Sequence, residues 1–183
     1  ANAHPLCGCD AARISIVLNG IVENYRELRE SLQDEGHTFT SETDAETVSH
    51  LIERYYDGDL VEAVCQAFEQ MEGHFTFVVI HADHPDRLVA ARHQTPLVVG
   101  AGDGEMFLAS NAAAFLTETR NVFFPNDGDV VTITADAIEF RRTDGSPVEH
   151  DVVELDWDIE AAEKGGYETF MLKEIYDQPE AIA

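Results

Sequence analysis

Basic residues are scarce in this chain. Only 11 of its 183 residues are Lys or Arg against 36 Asp or Glu, a formal net charge of −25, and the lysines are Lys164 and Lys173 alone. Such an envelope repels phosphate backbones and anionic bilayers, which excludes nucleic acid and membrane surfaces as expected partners. Cysteine is nearly as rare. Cys7, Cys9 and Cys65 are odd in number and too sparse for a disulfide scaffold, so a reducing, cytoplasmic location is expected. No apolar run approaches the eighteen residues that a spanning helix needs. The opening Ala1-Asn2-Ala3-His4-Pro5 has neither the basic nor the apolar region of a signal peptide. Internal repeats and low-complexity tracts are missing too.

What is present is an ordinary core. The 44% hydrophobic content suits one globular domain, so the acidity belongs to its surface rather than to a disordered tail. Concentrated salt would screen the self-repulsion of that surface, and a halophilic habitat is the expectation.

The stretch from Ile14 to Glu46 carries the chemistry. Ile14-Ser15-Ile16-Val17-Leu18 predicts a buried strand, with Asn19-Gly20 as a turn at its end. A helical pattern then starts at Ile21-Val22-Glu23-Asn24, with Tyr25, Leu28 and Leu32 on one face, and Gly36 stops it. Two readings of Asn19-Gly20 stand side by side: a simple tight turn, or an amide and a backbone N–H offered to a developing oxyanion. Thr43 or Asp44 caps a second helix containing Val48, Leu51, Ile52 and Tyr55, with Glu46 placed for a capping box. A third helix runs from Leu60 to about Met71, with Cys65 on its apolar face as a core residue.

From Gly73 the period changes to that of strands, at 74–81, 88–92, 96–99, 105–109, 121–124, 129–134 and 137–142. A short helix over 111–116 interrupts them, and Asp144-Gly145 makes a last hairpin. His74 and His81 fall at strand ends and read as polar edges. Helices on one side of the sequence and an antiparallel meander on the other predict an α+β layered fold. The tail reads as a short helix over 156–167 and another over 169–176 halting at Pro179, with Phe170, Met171, Leu172 and Ile175 as apolar surface. Cys7-Gly8-Cys9 is tighter than the usual zinc spacing and a second ligand pair is lacking, so neither a metal nor a cofactor is expected.

In order, Asn2-Ala3-His4-Pro5, Leu18-Asn19-Gly20-Ile21-Val22-Glu23-Asn24-Tyr25, Gly36-His37-Thr38-Phe39, Ser41-Glu42-Thr43-Asp44, Pro96-Leu97-Val98-Val99-Gly100 and Phe107-Leu108-Ala109-Ser110 resemble a known family. So do Glu163-Lys164-Gly165-Gly166-Tyr167, Phe170 to Ile175 and Gln178-Pro179 in the tail. The family is that of the glutaminase domains, class II glutamine amidotransferases, of the isomerizing glutamine:fructose-6-phosphate aminotransferases. The resemblance implies an N-terminal-nucleophile hydrolase fold, an αββα sandwich of two antiparallel sheets between helix layers. It implies that a chain-terminal cysteine attacks the carboxamide of glutamine, and that the ammonia released aminates fructose 6-phosphate in a separate isomerase domain of a homodimeric enzyme. It assigns the oxyanion hole to the Asn19 side chain and the Gly20 N–H, and the grip on the substrate α-ammonium to Asp44.

Departures accompany the match. The family's opening cysteine and its Arg-bearing motif are not found here, so the expectation is an N-terminally incomplete domain over 1–160, inactive alone, followed by a helical segment over 161–183 leading toward an isomerase domain. The alternative is a non-catalytic module that senses glutamine or docks on a partner. Leu18 stands where the family commonly has His, Gln94 where it has Gly, and Asn111 where it has Asp. Exposed sheet edges and apolar faces are expected to follow from the missing strands.

Overall fold

The computed structural model describes residues 2–10, 13–156 and 166–182. Strands β1 (Leu6–Cys7) and β2 (Ile14–Val22) open the chain, followed by helices α1 (Tyr25–Asp34), α2 (Asp44–Tyr55) and α3 (Leu60–Gln70). Then come β3 (Gly73–His81), β4 (Leu88–His93), β5 (Val98–Ala101) and β6 (Met106–Ala109), a 3₁₀ turn over Ala112–Ala114, and β7 (Asn121–Phe123). The chain continues through β8 (Asp129–Ile133), β9 (Ile138–Arg142), β10 (Pro147–Val148) and β11 (Val153–Glu154) to α4 (Phe170–Ile182).

These strands form two sheets whose ladders are all antiparallel. One has the order β1-β2-β3-β4-β8-β9-β10 and the other β11-β7-β5-β6. Helices α1 to α3 cover one face of the larger sheet. Leu32, Val48, Leu51, Ile52, Leu60 and Val64 meet Ile14, Ile16, Phe75 and Phe77 there, all buried. Each such side chain contributes roughly 1.5–3 kcal/mol on leaving water. The opposite face packs on the smaller sheet through Ala90, Val131, Ile133 and Phe140 against Leu97 and Val99. Behind that, Val98, Ala112, Phe115, Leu116 and Val122 close a third layer of contacts. The expected sandwich is therefore present, with the second helix layer reduced among the described residues to the 3₁₀ turn, which Asn111 caps by accepting the Ala113 N–H (2.9 Å).

Three local expectations are corrected. Asn19-Gly20 is not a turn after the strand. Strand β2 runs through both residues, pairing Asn19 with Thr76 and Gly20 with Phe75, and helix α1 begins at Tyr25 rather than Ile21. The reason is at Gly20, whose φ of 120° a side chain would not tolerate and whose would-be Cβ overlaps the His74 carbonyl oxygen. Glycine here serves close approach of two strands, not chain reversal. In the tail, α4 continues past Pro179 to Ile182. Proline leaves only the Ile175 carbonyl without its helical donor, and the exposed helix end lets water replace it. Finally, His81 is buried rather than a polar edge, with its ring centroid 4.0 Å from that of Tyr56 and the two planes tilted by 31°. The helix expected over 156–167 lies mostly outside the described residues.

Candidate functional site

Alternation along β2 sorts its residues. Ile14, Ile16, Leu18 and Val22 are buried under the helices, whereas Val17 is 45% and Ile21 63% exposed on the other face. Leu18, where the family has His, thus fills core. Asn19 shares the open face, where it lines a cleft of about 210 Å³ with Val17, Thr76, Val78, Pro96, Leu97 and Leu108. A wider cavity of about 560 Å³ lies elsewhere, around Ile80, His84, Leu88 and Met106, and contains none of the three predicted site residues.

The free edge of β2 is the distinctive element. Beyond Ile16, which pairs with Leu6 of β1, no described strand lies along it. The Leu18 N–H points outward to His4 Nε2 (3.4 Å) and the Val22 N–H to Asp44 Oδ2 (2.8 Å). Alternate amides of a strand face the same edge, which puts the Gly20 N–H between those two. The geometry of the 19–20 peptide agrees. The Asn19 carbonyl oxygen lies 3.4 Å from Thr95 Oγ1, which itself donates to Thr76 of β3 (2.7 Å), and a planar trans peptide directs the following N–H the opposite way. The Asn19 side-chain amide makes no hydrogen bond among the described residues.

Asp44 reaches this edge because the loop before α2 is clamped. Glu46, in the first turn of the helix and 2% exposed, accepts from the N–H and hydroxyl of Thr40 (2.6 and 2.8 Å) and of Ser41 (2.7 and 2.6 Å). Burial pushes its carboxyl up, yet the donors from Ser41 and Thr40 outweigh this and hold it below the ordinary carboxylate range. The capping box is therefore half formed: Thr43 accepts the Glu46 N–H (3.4 Å), while the Glu46 carboxylate turns back to 40–41 instead of returning to Thr43. Asp44 follows in the first turn, where the helix dipole favours an anion. One oxygen is fixed by Val22. At the far end of the β2–α1 connection, Asn24 bridges to the Gln70 carbonyl (2.8 Å) and the Glu72 N–H (3.0 Å), holding the strand end in place.

Gln94 takes the conformation that its glycine-favouring position predicts. Its φ is 64°, and Asp127 accepts its N–H at 2.8 Å. The two neighbouring cysteines part company: Cys7 Sγ lies 3.4 Å from Ser15 Oγ, whereas Cys9 Sγ lies 3.5 Å from Nδ1 of both His37 and His50. Sequence spacing missed this second grouping because its members sit on different elements; the available signal was His50-x-x-Glu53 on a predicted helix face.

The comparison with known families decides the affiliation: residues 1–117 match the family described as Glutamine amidotransferase domain. The chain belongs to this family. It is 52% identical over 178 residues to the glutamine–fructose-6-phosphate aminotransferase (isomerizing) of Thermus thermophilus, covering 97% of this chain and 29% of that protein. The enzyme of the same name from Thermotoga maritima is 46% identical over 181 residues, 99% of this chain and 30% of the relative. The chain thus spans less than a third of these relatives' length. Among solved structures, the glutamine phosphoribosylpyrophosphate amidotransferase of B. subtilis superposes with a TM-score of 0.65 at 20% identity, covering 78% of this chain and 32% of that one. A class-II glutamine aminotransferase domain protein from Silicibacter pomeroyi gives 0.55 at 17% identity, covering 79% and 72%. The amidotransferase domain and these neighbours share the two-sheet sandwich.

Proposed function

We propose that this chain supplies the oxyanion hole and the ammonium site of a glutamine-hydrolysing domain, in a protein whose isomerase half uses the ammonia to convert fructose 6-phosphate to glucosamine 6-phosphate. In this reading residues 1–160 are amidotransferase and 161–183 lead toward the isomerase. The arrangement along β2 supports it: the Gly20 N–H on a free edge, the Asn19 amide beside it, and two residues on the Asp44 carboxylate, held by the Val22 N–H with a second oxygen to offer. Two residues of strand span ~7 Å, comparable to the reach from the α-ammonium of glutamine to its carboxamide oxygen. When a nucleophile adds to that carboxamide, the oxygen becomes negative. Donors set at its final position then lower the barrier, and removing one such donor costs about 10²–10³ in kcat.

Calorimetric titration of the chain with L-glutamine tests the reading. Saturable binding is expected, weakened about 10- to 100-fold in Asp44→Asn, the worth of a charge-assisted hydrogen bond. Glutaramic acid, which has the carboxamide and carboxylate but no ammonium, should bind weakly and equally to both proteins. Equal affinity of wild type and Asp44→Asn for glutamine would overturn the assignment of Asp44. The net charge of −25 supports a further reading, residence in a salt-rich cytoplasm. A melting temperature that does not rise from dilute to molar potassium chloride would contradict it.

A further inference from the structure

Midway along α2, four potential ligands from three parts of the chain converge away from the glutamine edge. Cys9 comes from the loop after β1, His37 from the segment after α1, and His50 and Glu53 from one face of α2. Their atoms lie at the spacings of a coordination shell: Cys9 Sγ to each His Nδ1 3.5 Å, His37 Nδ1 to His50 Nδ1 3.2 Å, and Glu53 Oε2 to these nitrogens 3.1 and 3.3 Å. Tetrahedral zinc with bonds of ~2.0–2.3 Å separates its nitrogen and oxygen ligands by about 3.3 Å and sulfur from nitrogen by about 3.6 Å. The observed edges match both values.

Two features distinguish the cluster from a chance collection of polar groups. His50 is completely buried, and its Nε2 has no hydrogen-bond partner. Its other nitrogen, Nδ1, faces a sulfur, an imidazole nitrogen and a carboxylate oxygen together. Nε2 in turn faces the buried Glu46 carboxylate, with Oε1 at 3.8 Å, beyond hydrogen-bond reach but close enough for the two charges to attract when the ring is metal-bound. Gly8, adjacent to Cys9, lets the loop close: a Cβ there would stand 2.7 Å from Ile14 Cγ2 and 3.1 Å from the Glu53 carboxyl. The Cys9 N–H also donates to Glu53 Oε2 (3.0 Å), fixing that carboxylate against the loop.

We propose that Cys9, His37, His50 and Glu53 form a tetrahedral site for a thiophilic divalent cation of the zinc class. Four protein ligands close the shell, so the site is structural: it staples the β1–β2 loop and the α1–α2 segment to the helix that begins at Asp44. Binding forms four coordinate bonds, and the Cys9 thiol passes its proton to solvent. Zinc itself is the probe. After equilibration with zinc and exhaustive dialysis, the chain should retain one metal, measured by mass spectrometry. Competition with a chromophoric chelator should show at least about 100-fold weaker binding in Cys9→Ser and His37→Gln, both near the surface and spared the folding risk of His50. Cys7→Ser should bind like wild type. Cobalt(II) should give a tetrahedral visible spectrum with a thiolate charge-transfer band that Cys9→Ser abolishes. No retained zinc, retention indifferent to Cys9→Ser and His37→Gln, or an octahedral cobalt spectrum would each show a hydrogen-bonded cluster instead and overturn the proposal.

Discussion

The two faces of β2 are built from the same nine residues and have opposite characters. Toward the helices, Ile14, Ile16, Leu18 and Val22 are all buried and interlock with α1, α2 and α3. Toward the other side, Val17 and Ile21 are largely open and Asn19 lines a cleft. One face therefore holds the fold and the other is free to meet a ligand. The strand edge adds a third surface of outward-facing backbone amides, where Leu18 and Val22 meet His4 and Asp44 and Gly20 lies between them. The exposed apolar stripe on that face includes Ile80 at 49%.

The most damaging way to break this contrast is at its hinge. Gly20→Ala places a methyl against the backbone of His74 and Phe75, which cannot swing aside, at a φ that disfavours any side chain. A loss of roughly 3–5 kcal/mol is expected, from strain and overpacking together. Chemical denaturation measures it, and a loss under 1 kcal/mol would mean that β2 and β3 do not approach as described. Adjacent truncations sharpen the same comparison. Ile16→Ala should cost about 2–5 kcal/mol by opening a cavity, whereas Val17→Ala should stay within about 0.5–1 kcal/mol. Similar costs for the two would deny that the faces differ.

The buried face was legible in the sequence, since Ile14 to Leu18 reads as a buried strand, but the open face was not, because Val17 and Ile21 are apolar too. Helices α2 and α3 were legible from their apolar faces and, for α2, from a cap at Thr43 or Asp44, of which the structure uses Thr43; the Asp59 cap of α3 emerged only in the structure. What could not be read was any feature that depends on a partner far along the chain. Asn19-Gly20 looks like a turn until β3 is placed beside it. The Glu46 carboxylate looks like half of a capping box until the Thr40-Ser41 backbone folds over it. Cys9 lies 41 residues from His50, and spacing rules built for paired cysteines cannot join them. Asp44 entered through the resemblance; locally, capping described it as well.

Smaller effects probe the packed side and the cleft side separately. Burial, reinforced by Glu62 and Glu69, pushes the Cys65 thiol up to about 11, so the unfolded chain ionises first as pH rises. Stability contributed by this group is complete below pH ~9 and lost between ~9 and ~11, by about 2 kcal/mol. Denaturation across that range should show the fall, and Cys65→Ala should flatten it. An unchanged slope in the variant would place the thiol in contact with water. Least in size, Gln94→Gly should stabilise by about 0.5–1 kcal/mol through relief of its left-handed backbone. A destabilisation would show that the Gln94 side chain contributes more than its backbone costs.

The account rests on the free edge of β2 being where glutamine binds. Recording amide resonances of the ¹⁵N-labelled chain during titration with L-glutamine tests this most directly. The Gly20 and Val22 N–H signals should shift together along one saturation curve that Asp44→Asn displaces to higher concentration, while Gly145 in the distant hairpin stays still. Saturable binding that leaves the Gly20 amide unmoved would contradict it.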